Sequence, residues 1–167
     1  VRAASVPAQF GFMRRVDPAY AAAKHAIEEG VIGRVLAYTG ISRDPGPAPE
    51  EVIRTSGGIF LDSAIHEFDI ACYLLADEVS QVFAWTRDLA SGMYERLGDA
   101  DHACIMVDFK GGALGQIEVS RHAVYGYDIR AEVAGTKGMI RVGYERKSHV
   151  TVYTAAGVSH DFVSHWL

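Results

Sequence analysis

Apolar residues change their spacing once along this 167-residue chain, close to Leu75, and that change limits the folds open to it. In the stretch that ends at Leu75 the repeat suits a helix. Beyond it apolar residues alternate, which puts successive side chains on opposite faces of a strand. A short strand is predicted over residues 8–13. Asp17-Pro18 then opens a helix, Asp as N-cap and Pro in the first turn, which runs to Glu29 with Gly30 as its C-terminal cap. A second strand follows over 35–42, and the proline-rich 44–49 stretch reads as a loop. Thr55-Ser56-Gly57 starts a longer helix that reaches Leu75. Strands are then predicted near 79–86, 102–109, 113–122, 128–134, 139–143, 149–154 and 158–163. Lys110-Gly111-Gly112 and Thr136-Lys137-Gly138 form tight turns between neighbours. A short β–α–β opening, one long helix and then a run of consecutive strands predict the α+β class: a large, predominantly antiparallel open sheet with helices packed on one face. The other face then needs a partner.

Composition narrows the function classes. Apolar residues make up 49% and charged residues 22%, enough to build one core without staples. Net charge is −5 and no block of Lys or Arg occurs, so no nucleic-acid partner is expected. No apolar run approaches the ~20 residues of a membrane-spanning helix, and no membrane partner is expected. Cys72 and Cys104 lie outside any CxxC or Cys/His cluster and read as buried thiols of a reducing, cytoplasmic compartment. The start, Val1-Arg2-Ala3-Ala4, carries neither an initiator Met nor a signal-peptide pattern. With the end at His165-Trp166-Leu167, it suggests a domain cut from a longer protein.

The chemistry gathers on the long helix. At about 100° per residue, Leu61, Ala64, Ile65, Phe68, Cys72 and Leu75 share one arc, the predicted core face. Asp62, His66, Asp69 and Tyr73 form a polar stripe beside it, with Ile59 and Ile70 opposite the core. A helix apolar on two sides is covered from two directions. Asp62 and His66, four residues apart, are neighbours on a helix. A carboxylate there can fix one ring nitrogen of the imidazole and raise the basicity of the other, which suits a general base. The same spacing suits a surface ion pair or, with Asp69, a divalent ion; no metal is expected. His66-Glu67 does not extend to the zinc motif HExxH, because Ile70 stands where the second His is needed. No GxSxG, P-loop or strand-borne GxGxxG occurs.

Three stretches taken together resemble the Gfo/Idh/MocA oxidoreductase family. They are Gly11-Phe12-Met13-Arg14-Arg15, the run GGIFLDSAIHEFDI at 57–70, and RHAVYGYD at 121–128. Within the family the likeness is greatest to members that oxidise inositol, myo-inositol above all. The resemblance implies that residues 1–167 form the C-terminal substrate-binding domain. An N-terminal Rossmann domain, which binds NAD or NADP, and a closing C-terminal helix would lie outside this chain. No cofactor is then expected to bind tightly to this chain alone. The resemblance further implies a cyclic polyol or sugar as substrate, and a homo-oligomer formed through the open sheet face. Carried over by position, His66 removes the hydroxyl proton while hydride leaves for the nicotinamide. Asp62 orients His66 and holds a substrate hydroxyl. Met13, Arg14, Asp69 and Tyr127 match positions that line the substrate site. Ser63 and Ser42 depart from the family pattern, which puts Met and, in some relatives, His at those places. A different class of function also suits these residues: a stand-alone, non-catalytic module for carbohydrate binding or oligomerisation.

Overall fold

Glu67 is fully buried, and the way its carboxylate is satisfied fixes how the helical layer sits on the sheet. The computed structural model describes residues 6–7, 11–143, 150–154 and 157–161. Strand β1 (Val35–Arg43) turns Tyr38, Gly40 and Ser42 inward, as its alternating pattern requires. Helix α3 (Ile65–Leu75) crosses that row and buries Glu67, Ile70, Ala71 and Leu74. Tyr38 Oη donates to Glu67 Oε2 at 3.0 Å, and Arg14 Nη1 binds Glu67 Oε1. Arg14 Nη2 also donates to Ser42 Oγ at 3.1 Å. A buried carboxylate costs several kcal/mol unless it is paired and hydrogen-bonded, and here both oxygens are engaged. Burial pushes the Tyr38 phenol well above its ordinary range, so it stays a donor.

Six strands form the main sheet in the order β2-β3-β4-β1-β5-β6, with β2 (Val79–Arg87), β3 (His102–Phe109), β4 (Leu114–Ser120), β5 (Asp128–Gly135) and β6 (Met139–Val142). Every neighbouring pair is antiparallel except the central one, β1 beside β4. The predicted α+β sheet is therefore the observed one. Its inner face carries Ile105, Val107, Phe109, Ile117, Val119 and Val133, covered by α3 and by helix α1 (Pro18–Glu28). Burying an aliphatic side chain such as Ile70 or Leu74 contributes about 2 kcal/mol. Asp17 caps α1 through its side chain on the Ala19 N–H, 2.8 Å, as the Asp-Pro pair predicts.

The outer face is open. At one end Arg43 bridges Glu118 and Asp128, and Arg141 pairs with Glu132. At the other, Phe83 and Trp85 meet edge to face at 4.6 Å beside Met106, all three exposed. Strands β7 (Val150–Thr154) and β8 (Gly157–Asp161) make a separate two-stranded sheet. Position 149 and positions 162–163 of the strands predicted there lie outside the described residues. Among the described residues no helix is long and apolar enough to cross a membrane.

The structure corrects several expectations. Positions 8–10 of the first predicted strand lie outside the described residues, Gly11 and Phe12 have no regular structure, and Met13–Val16 is a 3-10 turn. The predicted helix from Thr55 is interrupted. A short helix α2 (Glu50–Ser56) ends at Gly57 and Gly58, whose φ of 86° and 85° only glycine adopts easily. The chain resumes as a π-helical turn, Phe60–Ala64, that leads into α3. The wider turn shifts the helical phase, so Ile59 is buried and Leu61, assigned to the core, is 66% exposed. Ile70 is likewise at the centre of the core rather than opposite it, while Ile65, Phe68, Cys72 and Leu75 lie on the half-buried flank. Cys104, expected to be buried, faces outward from β3, and Cys72 is half-buried; both are free thiols.

A Cβ at position 40 would stand 2.5 Å from Glu67 Oε2 and 2.7 Å from Tyr38 Oη. Gly40→Ala is expected to push the carboxylate out of place and cost about 1–3 kcal/mol. Urea unfolding would show this as a lower midpoint at unchanged m-value; an unchanged midpoint would mean that the contact is slack.

Candidate active site

Because β1 and β4 run parallel, both end at the same edge of the sheet, where Arg43 pairs with Ser120. Asp44 leaves β1 there and Arg121 leaves β4. The two segments are stitched together: Asp44 N–H donates to the Ser120 carbonyl at 2.8 Å, and Ala123 N–H to the Asp44 carbonyl at 2.7 Å. The π-helical turn and the first turn of α3 face this edge. Between them opens a cavity of about 790 Å³, a size suited to a small-molecule ligand.

Five of the six side chains singled out from the sequence line this cavity: Met13, Arg14, Asp62, His66 and Tyr127. Met13 and Tyr127 are exposed at 63% and 73% and form its mouth. Arg14 belongs to its wall, tied back to Glu67 and Ser42. Asp69 does not line it. Both Asp69 oxygens accept from Arg15, at 2.8 Å from Nε and 2.6 Å from Nη2. Nor does Asp62 hydrogen-bond His66. Its Oδ2 accepts from Arg121 Nη2 at 2.8 Å, because the π-helical turn replaces the regular i,i+4 geometry assumed from spacing. His66 packs edge-on against Phe12, centroids 6.1 Å apart. Its Nδ1 is buried and has no partner among the described residues.

Sequence reasoning missed Arg121, Asp99 and Asp44. Arg121 heads the run at 121–128, but nothing in spacing links it to Asp62, 59 positions earlier. Its guanidinium also binds Asp99 Oδ2 at 2.6 Å and lies over the Tyr94 ring at 5.0 Å. Burial works against the Arg121 charge, but Asp99 and Asp62 outweigh it and raise its pKa. Asp99 loses solvation too, yet Arg121 and the N–H groups of Ile59 and Ala100 hold its carboxyl below the usual range. Asp44 sat in a loop defined by its prolines. Its carboxyl lies above the usual range, through burial first and then the charge of Asp62, against the pull of Arg121, Arg14 and His66.

Behind the cavity edge stands an Asp–His–Ser chain. His102 Nδ1 meets Asp101 Oδ1 at 2.7 Å, and Ser120 Oγ meets His102 Nε2 at 3.0 Å. Ser120 is 3% exposed and also accepts from the His122 N–H, so it is closed to substrate. Asp101 accepts the N–H groups of Leu89 and Ala90, both at 2.8 Å. The chain of contacts locks the paired ends of β3 and β4 rather than activating a nucleophile.

Neither α1 nor α3 offers a phosphate site at its start. A phosphate site needs free N–H groups at a helix start. In α1 Pro18 has no N–H and Asp17 occupies the Ala19 N–H with a negative group. In α3 the π-helical turn runs directly into the helix. Also among the described residues, no group of three or more His, Cys, Asp or Glu is placed to hold a metal ion.

Comparison with known proteins matches residues 20–141 to the GFO/IDH/MocA C-terminal domain. The chain is 48% identical, over 98% of its length, to the scyllo-inositol 2-dehydrogenase (NAD(+)) of Bacillus subtilis, covering 48% of that protein. It is 46% identical, over 88% of its length, to the myo-inositol 2-dehydrogenase of Thermotoga maritima, covering 44% of that one. Among solved structures it resembles scyllo-inositol dehydrogenase from Lactobacillus casei with bound NAD(H) and scyllo-inositol. The TM-score is 0.76 at 28% identity, over 96% of this chain and 49% of that one. The chain thus spans about half the length of the curated relatives it matches.

The raised pKa of Asp44 has a consequence for stability. Ionising this group disfavours the folded state. Its contribution is therefore most favourable below the unfolded value of about 3.9 and is lost as pH rises through the higher folded value. Asp44→Asn is expected to melt above the parent protein at pH 7 and to lose that advantage as pH falls to about 4. An Asn variant that melts lower at pH 7 would show that the attraction of Arg14 and Arg121 outweighs burial.

Proposed function

This chain belongs to the GFO/IDH/MocA family, and we propose that it is the substrate side of an NAD-dependent inositol 2-dehydrogenase. The reaction is oxidation of a ring hydroxyl of a cyclic polyol to a ketone, with myo-inositol as the first substrate and scyllo-inositol beside it. In this reading residues 1–167 act as the C-terminal substrate-binding domain of a longer protein. NAD is held by a separate Rossmann domain, in keeping with the half-length match to the relatives.

The observation that carries the reading is the shared cavity of Asp62, His66, Arg14 and Tyr127. A polyol presents several hydroxyls, each both donor and acceptor, and needs a wall that mixes carboxylate, guanidinium and phenol. His66 takes the proton from the hydroxyl being oxidised. Asp62 accepts a hydrogen bond from a neighbouring hydroxyl, and Arg14 and Tyr127 donate to others. Met13 supplies an apolar lip over the ring. Asp69 joins the substrate only if Arg15 releases it; otherwise it supports the 3-10 turn that carries Met13 and Arg14.

The open outer face supports a homo-oligomer. Phe83, Trp85 and Met106 form an apolar patch next to a paired-charge region, a surface that a second copy can cover. The same patch favours, as a second reading, an oligomerisation module without catalysis.

Reduction of NAD by the full-length protein, followed at 340 nm with myo- and scyllo-inositol, tests the choice. His66→Ala is expected to lower kcat by about 10²–10⁴-fold. Activity on another sugar that still collapses in the variant would keep the mechanism and change the substrate. An active enzyme indifferent to His66→Ala would remove His66 as the base, and inactivity on every polyol would favour the module.

A further inference from the structure

We propose that Arg121 is a positioning residue that acts through Asp62, holding one carboxylate oxygen so that the other faces the substrate. The inference rests on the reading of Asp62 as a substrate-binding group and adds a residue to it.

The geometry supports a fixed bridge. The Arg121 side chain is 4% exposed, and all three guanidinium nitrogens are engaged. Nη2 donates to Asp62 Oδ2 at 2.8 Å. Nη1 donates to Asp99 Oδ2 at 2.6 Å and to the Ala100 carbonyl at 3.2 Å. Nε reaches Ser63 Oγ at 3.4 Å. The back anchor is itself fixed, since Asp99 Oδ1 accepts the Ile59 N–H at 2.9 Å. Gly58 makes that approach possible: a Cβ there would stand 3.2 Å from Asp99 Oδ1.

Asp62 is held differently. Its side chain is 43% exposed on the cavity, and Oδ1 has no partner among the described residues. A free carboxylate rotates and exchanges its two oxygens. One bound to a planar guanidinium keeps a set plane, which presents Oδ1 as an acceptor in a constant direction. A hydroxyl of a cyclic polyol is a donor of the right kind. Lysine cannot replace Arg121 here, because a single ammonium cannot bridge Asp62 and Asp99 in one plane.

The test is a double-mutant cycle on the full-length protein, with kcat/KM for myo-inositol and the thermal midpoint measured for each member. Arg121→Lys is expected to lower kcat/KM about 10- to 100-fold, the range for losing a hydrogen bond to a charged group. Asp62→Asn is expected to lower it at least as much. If Arg121 acts through Asp62, Arg121→Lys adds little in the Asp62→Asn background, whereas a structural role would multiply the two losses. Multiplying losses, or an unimpaired Arg121→Lys enzyme beside an impaired Asp62→Asn, would overturn the proposal and leave the Asp62 reading intact. An unimpaired Asp62→Asn would overturn the Asp62 reading, and the proposal with it. Should Arg121→Lys fail to fold, Asp99→Asn keeps the guanidinium and slackens its anchor. Its loss must also vanish with Asp62→Asn, and a loss that persists, or none at all, counts against the bridge.

Discussion

A carboxylate sealed from water needs partners on every side, and Glu67 draws three parts of the molecule together to meet that need. Tyr38 comes from β1, Arg14 from the 3-10 turn, and Glu67 itself from α3. Gly40 gives up a side chain so that the carboxylate can reach the strand. Since Arg14 also reaches Ser42, one ion pair sets both the seat of α3 on the sheet and one wall of the cavity. Helix placement and site shape are thus one problem with one solution.

The cavity owes its position to the central parallel pair. Antiparallel neighbours alternate their ends, but β1 and β4 finish side by side, so Asp44 and Arg121 emerge together. In open sheets, ligands commonly gather outside the carboxyl ends of parallel strands. Two polar systems stiffen that edge. Arg121 ties the π-helical turn to Asp99, and Asp101, His102 and Ser120 tie β3 to β4. The groups open to the cavity therefore stand on a braced frame.

Much of this was legible in the residues. Alternation placed the strands β1 to β6 to within a few positions, and Asp17-Pro18 marked the start of α1 by a cap that forms as expected. The helix around Asp62 was harder. Its apolar residues lie on two sides, so periodicity allowed two core faces; the arc through Leu61 reads as the core face, whereas Ile59, Ile70 and the buried Glu67 face the core. A π-helical turn leaves no mark in a count of 100° per residue. The links from Arg121 to Asp62 and from Arg15 to Asp69 span more than fifty positions and depend on how layers pack, which spacing cannot report. The three motifs of the resemblance pointed to the cavity because they carry Met13 and Arg14, Asp62 and His66, and Tyr127, while the cavity residues of α1, β1, β5 and β6 lie outside them.

The crossover between β1 and β4 has a consequence in time as well as in space. Their partners, such as Thr39 and Gln116, are 77 positions apart, and the α2–α3 segment, β2 and β3 all lie between them. The hairpins β3–β4 and β5–β6 can close locally, but the middle of the sheet must wait until a long loop has been closed. Contact order is therefore concentrated at β1, whose pairings with β4 and, across a still longer separation, with β5 close the centre of the sheet beside the cavity. Refolding should assemble the flanks early and the centre late, so that competence to bind ligand appears only with the last cooperative step.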